Sequence, residues 1–206
     1  VTINLTDGIF SPSTNGDYFP IGSKANTIIK GASQTGTILN GDSLFTVFYI
    51  KDNDFKISDL TIKNGDSKIT ENESGGGVYI YASGFILDRI LFENNYGLYN
   101  GGAIYTKYGG YIKNSIIKNN QSKSLGAGIF AEIGNNQDLI IENTIITGNS
   151  ASDDSGWNDG GGIYLTVPST DNQGSISLIN SIITGNSIND TGGRKGGGIS
   201  INSHLN

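Results

Sequence analysis

No cysteine occurs among the 206 residues, so disulfides, thiolate metal sites and cysteine nucleophiles are all excluded. Oxidising compartments permit disulfides without demanding them, so this absence leaves the compartment open. No methionine occurs either, so Val1 is not a start site, and the chain reads as an excised or processed segment of a longer protein. Proline is held to three residues, which excludes a Pro-rich linker. Only Arg89 and Arg194 carry guanidinium groups, and the formal net charge is −6, which argues against non-specific binding to nucleic acid. No run of about 18 apolar residues is present, so no transmembrane segment is expected. The hydrophobic share of 35 % is low for a thick core and above that of disordered chains, which favours a thin, extended one.

What the chain has instead is glycine, 31 residues of it, arranged without the three-residue period of collagen. The glycines belong to a repeat. "SGGGVYIY" begins at Ser74, "NGGAIYTK" at Asn100, "LGAGIFAE" at Leu125, "DGGGIYLT" at Asp159 and "KGGGISIN" at Lys195. A second series alternates with it: "ISDLTIKNG", "LDRILFENN", "IKNSIIKNN", "IENTIITGN" and "LINSIITGN", ending at Gly65, Asn95, Asn120, Asn149 and Asn186. The spacing from Asn95 to Asn120 sets a minimal coil of about 25 residues, with insertions in the others.

Each unit holds short β-branched runs and no helical stretch. Alternation puts Val78, Ile104, Ile129, Ile163 and Ile199 on one face, followed two residues on by Ile80, Thr106, Ala131, Leu165 and Ile201. A coil this small buries an apolar face only by stacking on its neighbours, at about 4.8 Å per coil. The fold expected is therefore all-β: a right-handed parallel β-helix in a single domain over 1–206, with 1–22 as a cap or incomplete first coil and the coils over 23–206. The last strand runs almost to Asn206, an edge that solenoids cap, so the native chain is expected to continue. Columns of alternating charge, Lys63–Glu93–Lys118 and Asp88–Lys113–Glu142, support the register independently.

Two columns of asparagine mark corners: Asn114, Asn143 and Asn180, and Asn95, Asn120, Asn149 and Asn186. Asparagine tolerates the left-handed conformation of a sharp corner, and its amide bonds to the equivalent amide one coil away. The Gly pairs mark the next corner, where a positive φ is needed before the strand restarts. One row resists simple alternation. Thr61, Leu91, Ile116, Ile145 and Ile182 precede another apolar row, so either the strand bends at the corner or one row lies outside and is covered. The bend is the preferred reading.

"FENN" at Phe92–Asn95 followed by "GGAI" at Gly101–Ile104 resembles the paired FxxN and GGA[ILV] repeats of chlamydial polymorphic outer-membrane proteins. More broadly the chain is similar to pectin-lyase-like β-helix proteins of bacterial surfaces, in "NTIIKGASQTGTILNG" followed by "LTIKNG". The resemblance implies an extracellular or bacterial cell-surface location and a polysaccharide or host-cell glycan as partner. It also names the motifs an enzyme of that fold would carry. A polygalacturonase-like site would show NTD, DD, GHG and RIK patterns, whereas this chain has one DD at Asp153–Asp154, one histidine at His204 and no RIK. A pectate-lyase-like site would need calcium-binding acids beside a basic residue, and Arg89, next to Asp88, reads as a surface ion pair.

Three features bear on binding. Asp153, Asp154 and Asp159 share one loop and offer oxygen ligands to a hard cation such as Ca²⁺, but the loop lacks EF-hand spacing, and a solvated acidic loop is the preferred reading. The same loop carries Trp157, the lone tryptophan. A row following the inward isoleucines, Tyr79, Tyr105, Phe130 and Tyr164, preceded by Phe48 and ending at Ser200, points outward. Such a row either stacks on sugar rings or stabilises the sheet by cross-strand pairing. The function expected is a non-catalytic extracellular or cell-surface β-helix segment, adhesin-like or glycan-contacting. The alternative is part of a polysaccharide lyase or glycoside hydrolase. No catalytic residue is assigned, and no cofactor apart from the Ca²⁺ candidate.

Overall fold

A computed structural model describes residues 1–68, 73–134, 136–152, 159–167, 174–189 and 196–203. The strands stack in parallel into a twelve-stranded, a seven-stranded and a four-stranded sheet, so each coil runs over three faces of one prism. The chain is a parallel β-helix. Among the described residues every strand pairing is parallel, and the coil-to-coil register matches the sequence repeat, as in Val78–Ile104–Ile129–Ile163 and Phe92–Ile117–Ile146.

Residues 1–22 already supply strands, Thr2–Leu5, Gly8–Phe10 and Ile21–Gly22, that pair in register with the following coil. A single helical turn, Pro12–Asn15, lies between them, capped by the Ser11 side chain. The core is one file of inward residues, among them Ile57, Leu87, Ile112 and Ile141 on the long face and Ile104, Ile129 and Ile163 on the opposite one, all fully buried. Ile201 holds an inward register position yet is 69 % exposed, since no described coil stacks beyond it.

The long face contains the row that resisted alternation, and the structure corrects the preferred reading. Asp59, Arg89, Asn114, Asn143 and Asn180 all have positive φ, from 48° to 59°. One left-handed residue resets the alternation, so the inward positions on either side, such as Ile57 and Leu60, lie three residues apart instead of two. Leu60 and Ile62 both face in, and the row between them faces out. Thr61 is covered, its hydroxyl donating to the Gln34 carbonyl at 2.6 Å, while Ile145 and Ile182 are 39 % and 56 % exposed.

Candidate functional site

The asparagine columns divide into two kinds. At the corner ending the long face, the left-handed residues are Asn64, Asn94, Asn119, Gly148 and Gly185, one position before the column expected to be strained. Asn95, Asn120 and Asn149 themselves are buried without positive φ. Their work is hydrogen bonding. The side-chain oxygens of Asn120, Asn149 and Asn186 each accept the backbone N–H and the Nδ2–H of the asparagine one coil earlier, all at 2.9 Å. Nδ2 of Asn95, Asn149 and Asn186 also donates to the carbonyls of Ile62, Ile117 and Ile146. The side-chain amides of Asn95, Asn120 and Asn149 are thereby paired inside the core.

Asn114, Asn143 and Asn180 do take the left-handed conformation, but they sit at the surface, where Nδ2 of Asn114 donates to Asp88 and Nδ2 of Asn143 to Asn114. The buried ladder of this second corner is one residue further on. Backbone N–H groups of Ile90, Ser115 and Thr144 donate to the hydroxyls of Ser115, Thr144 and Ser181. The sequence carried the signal, since Asn is followed by Ser, Thr and Ser in the three repeats.

On the opposite face the outward aromatic row is a continuous ring stack. Ring centroids follow one another at 4.9 Å from Tyr49 to Tyr79, 4.9 Å to Tyr105, 5.0 Å to Phe130 and 5.5 Å to Tyr164, and the last three pairs lie within 8° of parallel. The residue preceding the row is Tyr49, and Phe48, expected there, faces inward opposite Val78. Although the row points away from the main core, Tyr79, Tyr105, Phe130 and Tyr164 are each less than a tenth exposed and form a second apolar cluster with Leu125 packed on it. The faces of the inner rings are occupied by other rings, so they offer a ligand their edges.

Burial, reinforced by the carboxylate of Glu132 and by Tyr81, pushes the Tyr105 hydroxyl up to about 12, and burial also raises Tyr79. Beside the stack, Tyr81 and Tyr108 meet edge to face at 5.1 Å, and Lys107 pairs with Glu132 at 3.4 Å. At one end of the stack the Lys51 ammonium lies 4.5 Å from the Tyr49 ring centroid. At the other, Tyr164 accepts a hydrogen bond from Asn202 Nδ2 at 3.0 Å.

Variable loops adjoin this row at a fixed place in the coil. Tyr96–Gly97, Gln121–Ser122, Ser150–Ala151 and Ser187–Ile188 pair as a sheet where the loops begin. The loops end at Gly75, Gly101, Gly126 and Gly160, all with φ between 60° and 68°. A Cβ at Gly101 would run into the Ile104 carbonyl, which is why glycine holds this corner. The loop bases therefore line one edge of the prism.

Arg89 is held by three bonds: Nε and Nη2 reach the two carboxylate oxygens of Asp59 at 2.5 and 2.9 Å, and Nη1 reaches Asp88 at 2.6 Å. Those bonds hold the Asp59 carboxyl below its usual range. Lys118 and Glu93 pair at 2.9 Å, in the charge column read from the repeats. Trp157, Asp153, Asp154 and His204 lie outside the described residues. Asp159, the remaining member of the cation candidate, accepts the N–H of Gly160 at 2.9 Å. Among the described residues no group of three acidic or histidine side chains converges on a cation site.

A family model of the Chlamydia polymorphic membrane protein (Chlamydia_PMP) repeat matches residues 89–107, the coil segment that carries "FENN" and "GGAI". No curated protein matches the chain. Among solved structures, a pectin methylesterase mutant in complex with hexasaccharide IV aligns over 98 % of this chain and 84 % of that one, at 11 % identity and a TM-score of 0.38. What fold and repeats together define is a parallel β-helix repeat protein, similar over residues 89–107 to the polymorphic membrane protein repeat.

Proposed function

We propose that this chain is a non-catalytic, surface-exposed segment, a stiff prism that presents its loop edge and the adjoining aromatic row to glycans. The observation that carries the reading is the joining of three axial ladders, of Asn, of Ser and Thr, and of stacked rings, to a series of loops anchored at one register. The ladders fix the frame from coil to coil, while loop length and sequence vary on a single edge, where repeat proteins bind. The repeat matched at 89–107 supports a place at a bacterial surface.

The engagement of Arg89 weighs against the enzymatic alternative. Its guanidinium makes three bonds to Asp59 and Asp88, so neither the cation nor those carboxylates stand ready for proton transfer on the long face. Incubation with pectate, alginate and neutral polysaccharides, with and without Ca²⁺, is expected to release no reducing ends or unsaturated uronates, while a glycan array registers binding. Time-dependent product formation lost on changing Arg89 or Asp154 would overturn the reading.

A further inference from the structure

With no cysteine in the sequence, no disulfide can tie one coil to the next. One pair of tyrosines from successive coils is placed to do so. Tyr81 follows the strand Val78–Ile80, and Tyr108 comes just after Ile104–Thr106, which pairs with that strand in register. The corner holding Tyr108 is the tighter of the two: one residue fewer separates Thr106 from Gly110 than Ile80 from Phe85. Glycine makes it possible, since a Cβ at Gly110 would meet the Phe85 ring at 2.6 Å. The Thr106 hydroxyl fixes the turn, donating to the Tyr108 carbonyl at 2.9 Å and accepting the Tyr108 N–H at 3.1 Å. Held there, the Tyr108 ring meets Tyr81 at 5.1 Å between centroids, with the ring planes at 81°. Hydrogen bonding with Tyr81 is the main cause that raises the Tyr108 hydroxyl above its ordinary range, so the two phenol ends lie together.

We propose that Tyr81 and Tyr108 are an oxidative cross-linking site, joined as dityrosine by a one-electron oxidant such as a haem peroxidase with hydrogen peroxide. Each phenol gives up one electron and its hydroxyl proton, and the two radicals join through their ortho carbons. Each joined carbon then releases its hydrogen as a proton, and each oxygen takes one back. The pair thus loses two electrons and two protons in all, which reduce one hydrogen peroxide to two waters. Three features select this pair. A biaryl bond lies in the plane of both rings, so ring edges must meet, whereas the stacked tyrosines lie face to face. Tyr81 is 48 % exposed, so an oxidant reaches it, its proton leaves to water and its edge has room to turn toward Tyr108. Burial raises Tyr79 and Tyr105, which makes them hold their protons. Tyr18, Tyr99 and Tyr111 are exposed too, but among the described residues no tyrosine ring packs against theirs. Two radicals held in contact within one chain couple faster than radicals that must meet by diffusion. The resulting bond staples one coil to the next. The inference stands on ring geometry and exposure, whether or not glycans bind.

The test treats the whole chain, at high dilution, with a haem peroxidase and hydrogen peroxide, and isolates the single-chain species. That species should gain blue dityrosine fluorescence, lose the mass of two hydrogens and yield one cross-linked peptide joining Tyr81 to Tyr108. Its thermal midpoint should rise by about 5–15 °C, because the bond closes the loop between the two residues in the unfolded chain. Tyr81→Phe and Tyr108→Phe each keep the ring contact and remove one phenol, so both should fold as the parent does and lose the fluorescence. Tyr111→Phe, which removes a neighbouring exposed phenol, should leave it unchanged. A single-chain species that stays uncoupled while free tyrosine in the same mixture dimerises overturns the site. Coupling that maps to other tyrosines, or that persists undiminished in Tyr81→Phe, overturns it as well. A Tyr81–Tyr108 cross-link that leaves the midpoint at the parent's value overturns the staple.

Discussion

Asn149→Leu isolates the buried ladder. Oδ1 of Asn149 accepts two bonds from Asn120, through its backbone N–H and Nδ2–H, both at 2.9 Å. Its Nδ2 donates to the Ile117 carbonyl at 3.0 Å and to Asn186 Oδ1 at 2.9 Å. Leucine removes all four, and Asn120, fully buried, cannot turn its donors to water. Nδ2 of Asn120 keeps the carbonyls of Phe92 and Lys118, so the stranded donor is its backbone N–H, at about 1–3 kcal/mol; with about 2 kcal/mol for the three other bonds together and about 1 kcal/mol regained from apolar burial, the loss is about 2–4 kcal/mol. In a chain of this length that lowers the thermal midpoint by about 4–16 °C, measurable by circular dichroism. The surface column supplies the contrast. Asn114 has φ +51°, so Asn114→Ala should cost about 1 kcal/mol through left-handed strain and Asn114→Gly almost nothing. Asn149→Gly should rescue nothing, since no strain exists there to relieve. A midpoint for Asn149→Leu equal to that of the parent, or recovery in Asn149→Gly, would refute the reasoning.

Two further outcomes follow from the charged and aromatic columns. Tyr105 titrates near 12 when folded against about 10 when unfolded, so its share of stability is intact below pH 10 and is lost as pH rises through 12; denaturation midpoints should fall across that window, and Tyr105→Phe should flatten the fall. Arg89 combines a positive φ with its ion pairs, so Arg89→Ala should lose about 1 kcal/mol and Arg89→Gly less, because glycine relieves the strain while losing the same bonds. The Asp59 part of that pairing is present at neutral pH and is lost as pH falls below about 4 through the depressed folded value, so the difference between parent and Arg89→Ala should shrink in acid.

The fold was legible because stacking turns sequence repeats into spatial columns. Wherever a Gly pair anchored the alignment, the expected inward residues Val78, Ile104, Ile129 and Ile163 are the ones buried. Where that anchor is missing, reading slipped. "TVFYI" at 46–50 has no glycine corner, and with two adjacent aromatics there Phe48 was taken for the outward row in place of Tyr49. The corners were found but their chemistry was shifted by one residue, because asparagine serves two needs. It accepts the left-handed conformation at Asn94 and Asn119, and it supplies the amide ladder at Asn95 and Asn120. A run of two asparagines does not say which does which. The outward row at Ile116 and Ile145 was misread because one left-handed residue resets the alternation, an event no two-residue period contains. As for the site, the aromatic row was visible in the sequence, but its burial was not, since the loop residue that packs on it, Leu125, lies outside the strand pattern.

The central claim, that this prism holds neutral glycans without cutting them, meets its most direct test in one NMR experiment. The chain and a neutral oligosaccharide are mixed and followed over a day, recording saturation transfer and the anomeric signals together. The account predicts saturation transfer to the sugar, with the anomeric signals unchanged throughout. New reducing-end signals that grow with time, or no transfer from any neutral sugar tried, would contradict it.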